Sequence, residues 1–222
     1  MRTFLLATVP LLMAGGAAAQ VPAPLAIAQL QYDGGGDWYA NATGLPNLLK
    51  AIRARTGLPV AERPGTMRLT DPSLWTQPYL YVTGHGTIHF SDEEVAILRR
   101  YLEGGGFLHA DDNYGMDPSF RREIAKVFPG SQLTELPPDH PVFHAFYDFP
   151  QGLPKIHLHD GKAPQAFGLF HRGRLVVFYS YESDLGNGWE DAEVHEVSRE
   201  LREQALRMGV NLFVYAMAQA AT

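Results

Sequence analysis

The stretch Tyr79–Tyr114, YLYVTGHGTIHFSDEEVAILRRYLEGGGFLHADDNY, reads as strand, glycine turn, capped helix, glycine stop, strand and acidic loop. Tyr79–Thr83 is a short apolar run rich in β-formers. Ser91 followed by Glu94 is a capping box, with Phe90 and Val95 placed as its hydrophobic staple. Val95, Leu98 and Leu102 recur at helical spacing, and Ile97 and Tyr101 widen the stripe. Gly104, Gly105 and Gly106 end the helix, and Phe107–Ala110 makes the next strand. A strand–helix–strand unit of this length is a crossover that pairs its strands in parallel. Ligands of open α/β sheets sit beyond the carboxyl ends of the strands. Here those ends carry Gly84-His85-Gly86 and His109-Ala110-Asp111-Asp112-Asn113.

Outward from this unit, the same pattern repeats. Leu25–Tyr32 reads as the first strand and runs into the glycine-rich loop Asp33–Trp38. Thr43–Gly57 is the first helix, with Leu45, Leu48, Leu49 and Ile52 on its inner face. Leu58–Val60 is a candidate short strand, and Ala61–Pro78 reads as loop. Asp117-Pro118 opens a third helix with Asp117 as its cap. Phe120, Ile124, Val127 and Phe128 face inward, and Pro129-Gly130 ends the helix. Leu136–Pro164 has no clean period and is long enough to be functional. Ala166–His171 and Arg174–Tyr181 form a hairpin about Arg172-Gly173. Glu182–Asp191 reads as a second acidic loop, and Ser198–Ala218 is the last helix. The expected fold is one doubly wound α/β domain over residues 20–222, with a mostly parallel, flavodoxin-like sheet, a C-terminal hairpin and a final helix.

Composition narrows the function. Residues 1–19 have the build of an export signal: Arg2, a short apolar run and Ala17-Ala18-Ala19 before Gln20. Their removal takes Lys+Arg from 18 to 17 against 24 Asp+Glu, a net of −7. That charge argues against nucleic acid as a partner. There are no cysteines, which excludes thiol nucleophiles, thiolate metal ligands and disulfides. No segment of the mature chain reads as a membrane anchor, so the expected place is the periplasm or cell envelope.

Three constellations carry possible chemistry. Asp33, Asp37, Asp111, Asp112, Glu182 and Asp184 sit where strands end, and gathered carboxylates can serve as an acid–base pair; equally, acids in such loops cap helices and hold turns. Histidines form the second set: His85, His89, His109, His140, His144, His157 and His159 cluster in the half of the chain that builds the expected site. His157 and His159 alternate, so an extended segment points both the same way. Two imidazoles with a carboxylate could hold a zinc-like ion, although no H-E-x-x-H spacing is present. Tyr32, Trp38, Tyr39, Tyr114, Tyr179, Tyr181 and Trp189, beside the acidic loops, form the third set, aromatic and polar groups suited to a sugar ring or a peptide; for Tyr179 and Tyr181, on a strand, plain core packing is the alternative. Asp33–Trp38 lacks the lysine and the spacing of a phosphate loop. No serine lies in a nucleophile-elbow motif. The expected site is one pocket lined by Asp33, His85, Asp111 and Asp112, with Asp37, Trp38, Asn113, Tyr114, Glu182, Asp184 and Trp189 as ligand contacts.

The words LYVTGHGTIHFSDEEVAILRRYLEGGGFLHADD, DHPVFHAF and GRLVVFYSYESD resemble the class I glutamine amidotransferase-like fold, and within it the trehalose-utilisation ThuA-like branch. LQYDGGGDWY, DDNYG and SYESDLGNGWED are similar to an uncharacterised family of exported bacterial proteins. The resemblance covers nearly all of Leu25 to Gln219 and implies the fold and export. Amidotransferases of this fold carry a cysteine on an elbow after a core strand, near where Asp111 and Asp112 fall. Without cysteine, glutaminase chemistry is excluded. No motif names a cofactor. The missing nucleophile favours a ligand-binding or assembly module taking a small molecule, glycan or peptide. The alternative is a hydrolase or lyase acting on a carbohydrate or envelope substrate, with Asp111 or Asp112 as acid or base and His85 and His157 as partners.

Overall fold

The computed structural model describes residues 23–220. The expected export signal, residues 1–19, lies outside them. A sheet of seven strands runs in the order β2-β1-β3-β4-β7-β6-β5. Its strands are β1 (Ile27–Leu30), β2 (Gly65–Met67), β3 (Tyr79–His85), β4 (Phe107–Tyr114), β5 (Thr134–Glu135), β6 (Gln165–His171) and β7 (Arg174–Tyr181). The helices are α1 (Gly44–Thr56), α2 (Asp92–Glu103), α3 (Asp117–Val127), α4 (Leu185–Trp189), α5 (Ala192–His195) and α6 (Arg199–Ala220). β1 pairs in parallel with both β2 and β3, and the parallel run continues through β4 to β7. β6 is antiparallel to β7 and to β5, which makes that edge the antiparallel part of the sheet.

Alternate residues of the central strands enter two separate cores, as the period of a strand requires. Tyr79, Tyr81, Phe107 and Phe178 face α1 and α6, together with Leu48, Ile52, Trp189 and Phe213. Leu80, Val82, Leu108, Val177 and Tyr179 face α2 and α3, with Leu98, Leu102, Phe120 and Ile124. Strands covered on both faces need apolar side chains on both, so β3 is buried from Tyr79 to Gly84. The capping box at Ser91 and Glu94 is formed in both directions. Gly57 ends α1 in the left-handed conformation, with φ 70°.

Four local expectations are corrected. The second strand is Gly65–Met67 rather than Leu58–Val60; of the latter, only Val60 makes a bridge, to Leu25. β4 does not stop at Ala110 but continues through Asp111, Asp112 and Asn113 to Tyr114. Asp117 is the first residue of α3 and does not cap it; its carboxylate takes Arg121 Nε and the Tyr179 hydroxyl instead. Glu182–Asp191 is not all loop, because Leu185–Trp189 is a buried helix.

Candidate functional site

The carboxyl ends of β3, β4 and β7 meet at one edge of the sheet, and each delivers its polar residues by a different device. At β3, Gly84 lies against the first loop: a Cβ there would come within 2.2 Å of the Tyr32 hydroxyl. That close approach requires glycine. It lets the next residue, His85, reach Asp37, which accepts from both its main-chain N–H and its Nδ1 (3.0 Å for the latter). The glycine-rich loop also spends its own donors here, Gly36 N–H on Thr87 and Asp37 N–H on His85 carbonyl. Asp33–Trp38 is therefore a brace for the His85 turn.

At β4, the polar run stays in the sheet because each side chain finds a partner inside. Asp111 is fully buried and accepts from four donors: the hydroxyls of Tyr81 (3.2 Å) and Ser180, and the main-chain N–H of Leu185 (3.2 Å) and Gly186 (2.7 Å). Asp112 accepts from Met116 N–H at 2.9 Å and from the Tyr179 hydroxyl at 3.3 Å. Burial pushes each carboxyl up to about 6. Asn113 accepts from Thr83 Oγ1 at 2.9 Å and exchanges amide contacts of 3.3 Å with Asn41. Tyr114 is 51 % exposed. Its hydroxyl donates to Asp160 at 2.9 Å, and its ring stacks on His159 with an interplanar angle of 11°.

At β7, the chain turns sharply into α4. Glu182 and Asp184 both have positive φ, 57° and 63°, a conformation that costs a side-chain-bearing residue about 1 kcal/mol or more. Asp111 and Asp184 hold the turn from both sides. Asp111 takes the first two N–H groups of α4, and Asp184 accepts from Asn187 N–H and from its side-chain amide. A Cβ on Gly186 would lie 1.9 Å from Asn41 Nδ2, so only glycine lets α4 sit this close. Ser183 carbonyl accepts from the main chain of Ile156 and His157, at 3.0 and 3.2 Å. The histidine segment is thereby tied to the turn.

These devices surround a cavity of about 300 Å3 whose walls include His85, Asn113, Tyr114, His157, His159 and Asp184. His159 Nε2 is 3.2 Å and His157 Nδ1 is 3.9 Å from Asp184 Oδ2. The His159 contact is too oblique for a hydrogen bond, and Nε2 is left buried without a partner, as is Asn187 Oδ1. Burial holds both imidazoles below the ordinary histidine range and pushes the Asp184 carboxyl up to about 8.

The sequence-expected residues thus divide. His85, Asn113, Tyr114, Asp184, His157 and His159 come together. Asp37 supports His85 from behind, and Asp111 and Asp112 lie beneath the cavity as buried supports, not in its wall. Asp33 is elsewhere: it pairs with Arg68 at 3.2 Å, and its carbonyl accepts from His89 N–H. Trp38 packs edge-on against Tyr39 and borders a core. Glu182 is buried in an ion pair with Lys155 at 2.9 Å. Trp189 is fully buried, its indole N–H donating to Ala205 carbonyl at 2.8 Å; it is a core residue and cannot contact a ligand. His109 is core as well. It lies between Tyr79 and Ser180, and burial drives its pKa to about 3.

Asn187 and His195, both in the wall, went unnoticed in the sequence. Asn187 sits between two glycines in a segment read as loop. His195 pairs with Glu190 at 2.7 Å, five residues away, and no spacing rule singles it out. A larger cavity, about 390 Å3, lies at the opposite edge beside Trp75 and Gly104–Gly106, and no carboxylate or imidazole lines it. No curated protein matches the chain. The family model described as a domain of unknown function, DUF4159, matches residues 26–217, and the chain belongs to that family.

Proposed function

We propose that this protein is an exported ligand-binding module of the cell envelope, built on a flavodoxin-like, glutamine amidotransferase-like scaffold of the ThuA type without thiol chemistry. The parallel strand order β2-β1-β3-β4-β7 supports the scaffold, since it corresponds to the 2-1-3-4-5 order of doubly wound sheets. The leader-like residues 1–19 support export. Protein recovered from the periplasm should begin at or near Gln20 by N-terminal sequencing, and an intact Met1 on material from the cytosol would refute export.

One observation carries the binding reading: an exposed Tyr114 ring, stacked on His159, over a cavity whose other walls are amides, imidazoles and a carboxylate. An aromatic face beside convergent polar groups suits a sugar ring. The cavity volume fits one or two residues of a glycan. Saturation-transfer NMR with soluble glycan fragments of the envelope tests this. Tyr114→Ala should weaken binding by about tenfold, equivalent to about 1.4 kcal/mol, and leave thermal stability unchanged because the ring is half exposed. Undiminished binding in Tyr114→Ala and Asn113→Ala would place the ligand elsewhere.

A second reading, a hydrolase or lyase acting on the same glycans, draws on the strained strand-to-helix turn that presents Asp184 to two histidines. Such strain clusters at working sites. Release of reducing ends from the same fragments, lost in His85→Ala and Asp184→Asn, distinguishes it from binding alone.

A further inference from the structure

We infer that His157, His159 and Asp184 form a binding site for one divalent transition-metal ion of the zinc class. Their ligand atoms, one from each residue, lie within 4.8 Å of one another. Two ligands of a tetrahedral zinc ion, each about 2.05 Å from the metal, are themselves about 3.3 Å apart. His159 Nε2 and Asp184 Oδ2 are 3.2 Å apart. The angle matters more than the distance. In an ordinary ion pair the ring nitrogen points at the carboxylate oxygen. Here it does not, and Nε2 has no hydrogen-bond partner although the His159 side chain is only 8 % exposed. Donors that share a metal aim at a common point between them, not at each other, and the oblique approach is what that arrangement produces.

The site is also built rather than accidental. Asp184 is fixed by its left-handed backbone and by Asn187, and the His157 main chain is bonded to Ser183, next to Asp184. His157 is 52 % exposed, so its ring is free to close the 3.9 Å gap. Two imidazoles and one carboxylate leave coordination positions open, the donor set of working rather than purely structural metal sites. Tyr114, Asn113 and His85 line the same cavity as the three ligands. Asn187 Oδ1, buried and without a donor, supplies an acceptor in that cavity for a metal-bound water. Nitrogen donors favour zinc-class ions over magnesium and calcium, which prefer all-oxygen shells. This inference deepens the proposed function, since it concerns the same cavity, but it does not require a glycan ligand.

The test is titration of untagged, chelator-treated protein with Zn2+ against a chromogenic competitor, followed by Co2+ substitution. One Zn2+ per chain should bind, with Mg2+ and Ca2+ failing to compete. Loss of an outer-shell partner typically weakens metal binding by about 10–100-fold, so His159→Ala and Asp184→Asn should each weaken it by more than about 100-fold. His157→Ala, at a half-exposed position, gives a folded variant with the same direction of change. His144→Ala, which alters a surface histidine paired with Asp148, should bind as the unaltered chain does. Co2+ should give a visible absorption band that His157→Ala removes. Absence of stoichiometric Zn2+ binding, or binding that survives both His157→Ala and His159→Ala, overturns the inference. Glycan binding by zinc-free protein would then leave the proposed function standing, whereas Zn2+ binding without any glycan binding would leave only the metal site.

Discussion

Asp111→Ala should destabilise the protein by about 4 kcal/mol, the largest single effect expected at this edge of the sheet. The substitution strips four donors of their acceptor in a place no water reaches directly. Two of those donors, the Leu185 and Gly186 N–H groups, belong to the first turn of a short helix and have no partner within it. Each buried donor left unpaired costs about 1–3 kcal/mol. The hydroxyls are less costly, because Ser180 also donates to Ala110 carbonyl and contacts His109. α4 carries Trp189 into the core beside Tyr81 and His109, so its release loosens that core. Asp111→Asn should cost less than half as much, since one amide oxygen still serves one pair of donors and a buried charge is removed. Urea unfolding measures both. A loss under about 1 kcal/mol for the alanine variant would mean that α4 is held by its apolar contacts alone.

That expectation reverses what the sequence implied, and the reason is physical. An acidic pair after Phe107–Ala110 looks like the point where a strand leaves the core, because isolated carboxylates do not belong in a sheet interior. β4 continues only because Tyr81, Thr83, Tyr179 and Ser180 on neighbouring strands bring hydroxyls to the same level. No local pattern in the DDNY stretch contains that information. α4 is hidden for a related reason. Two glycines in five residues argue against a helix, yet Gly186 is required by the approach of Asn41, and the helix start is fixed by carboxylates 74 and 3 residues away in sequence.

What local chemistry dictates was legible. Ser91 and Glu94 mark the start of α2 without help from the rest of the fold, and the glycines after Glu103 mark its end. The parallel pairing of β3 with β4 follows from the length of the connection. His157 and His159 both reach Asp184, although the segment carrying them is a bend and a turn rather than the extended strand their alternation assumed. Their carboxylate partner, Asp184, is separated from them by an entire hairpin, so the triad exists only once β6 and β7 pair antiparallel and bring the two ends of that hairpin together. Asp33 shows the converse. It follows β1 as expected, but Arg68 from the loop after β2 draws it away from the cavity.

Asp112→Asn should become progressively more stable than the unaltered protein as pH rises from about 4 to about 7. In the fold the Asp112 carboxyl is pushed from 3.8 up to about 6, first by burial and further by the charges of Asp117 and Asp111. A folded-state pKa above the unfolded value means that the native state holds the proton more tightly. The stability this proton contributes is present below about 4 and is lost as pH climbs through 6. Two decades of proton affinity correspond to about 3 kcal/mol. Asparagine carries no such proton, and its amide oxygen can still accept from Met116 N–H while the Tyr179 hydroxyl turns to accept from its NH2 group. Other groups facing the site titrate too. Arg121 is bonded to Asp117 and lies over the Tyr179 ring. Burial raises Tyr32 and Tyr179 beyond the range tested. His109, held near 3, loses stability in the opposite direction as pH falls below 6.5. His109 acts alike in both proteins and drops out of the difference in unfolding free energy between variant and parent; removing Asp112 also relieves its repulsion of the Asp184 carboxylate, which adds in the same direction. Measured by urea unfolding at half-unit steps, that difference should grow by about 2–3 kcal/mol and level off above pH 7. A difference that stays flat from pH 4 to 7 would show that Asp112 is ionised in the native state throughout, with its two donors outweighing the cost of its burial.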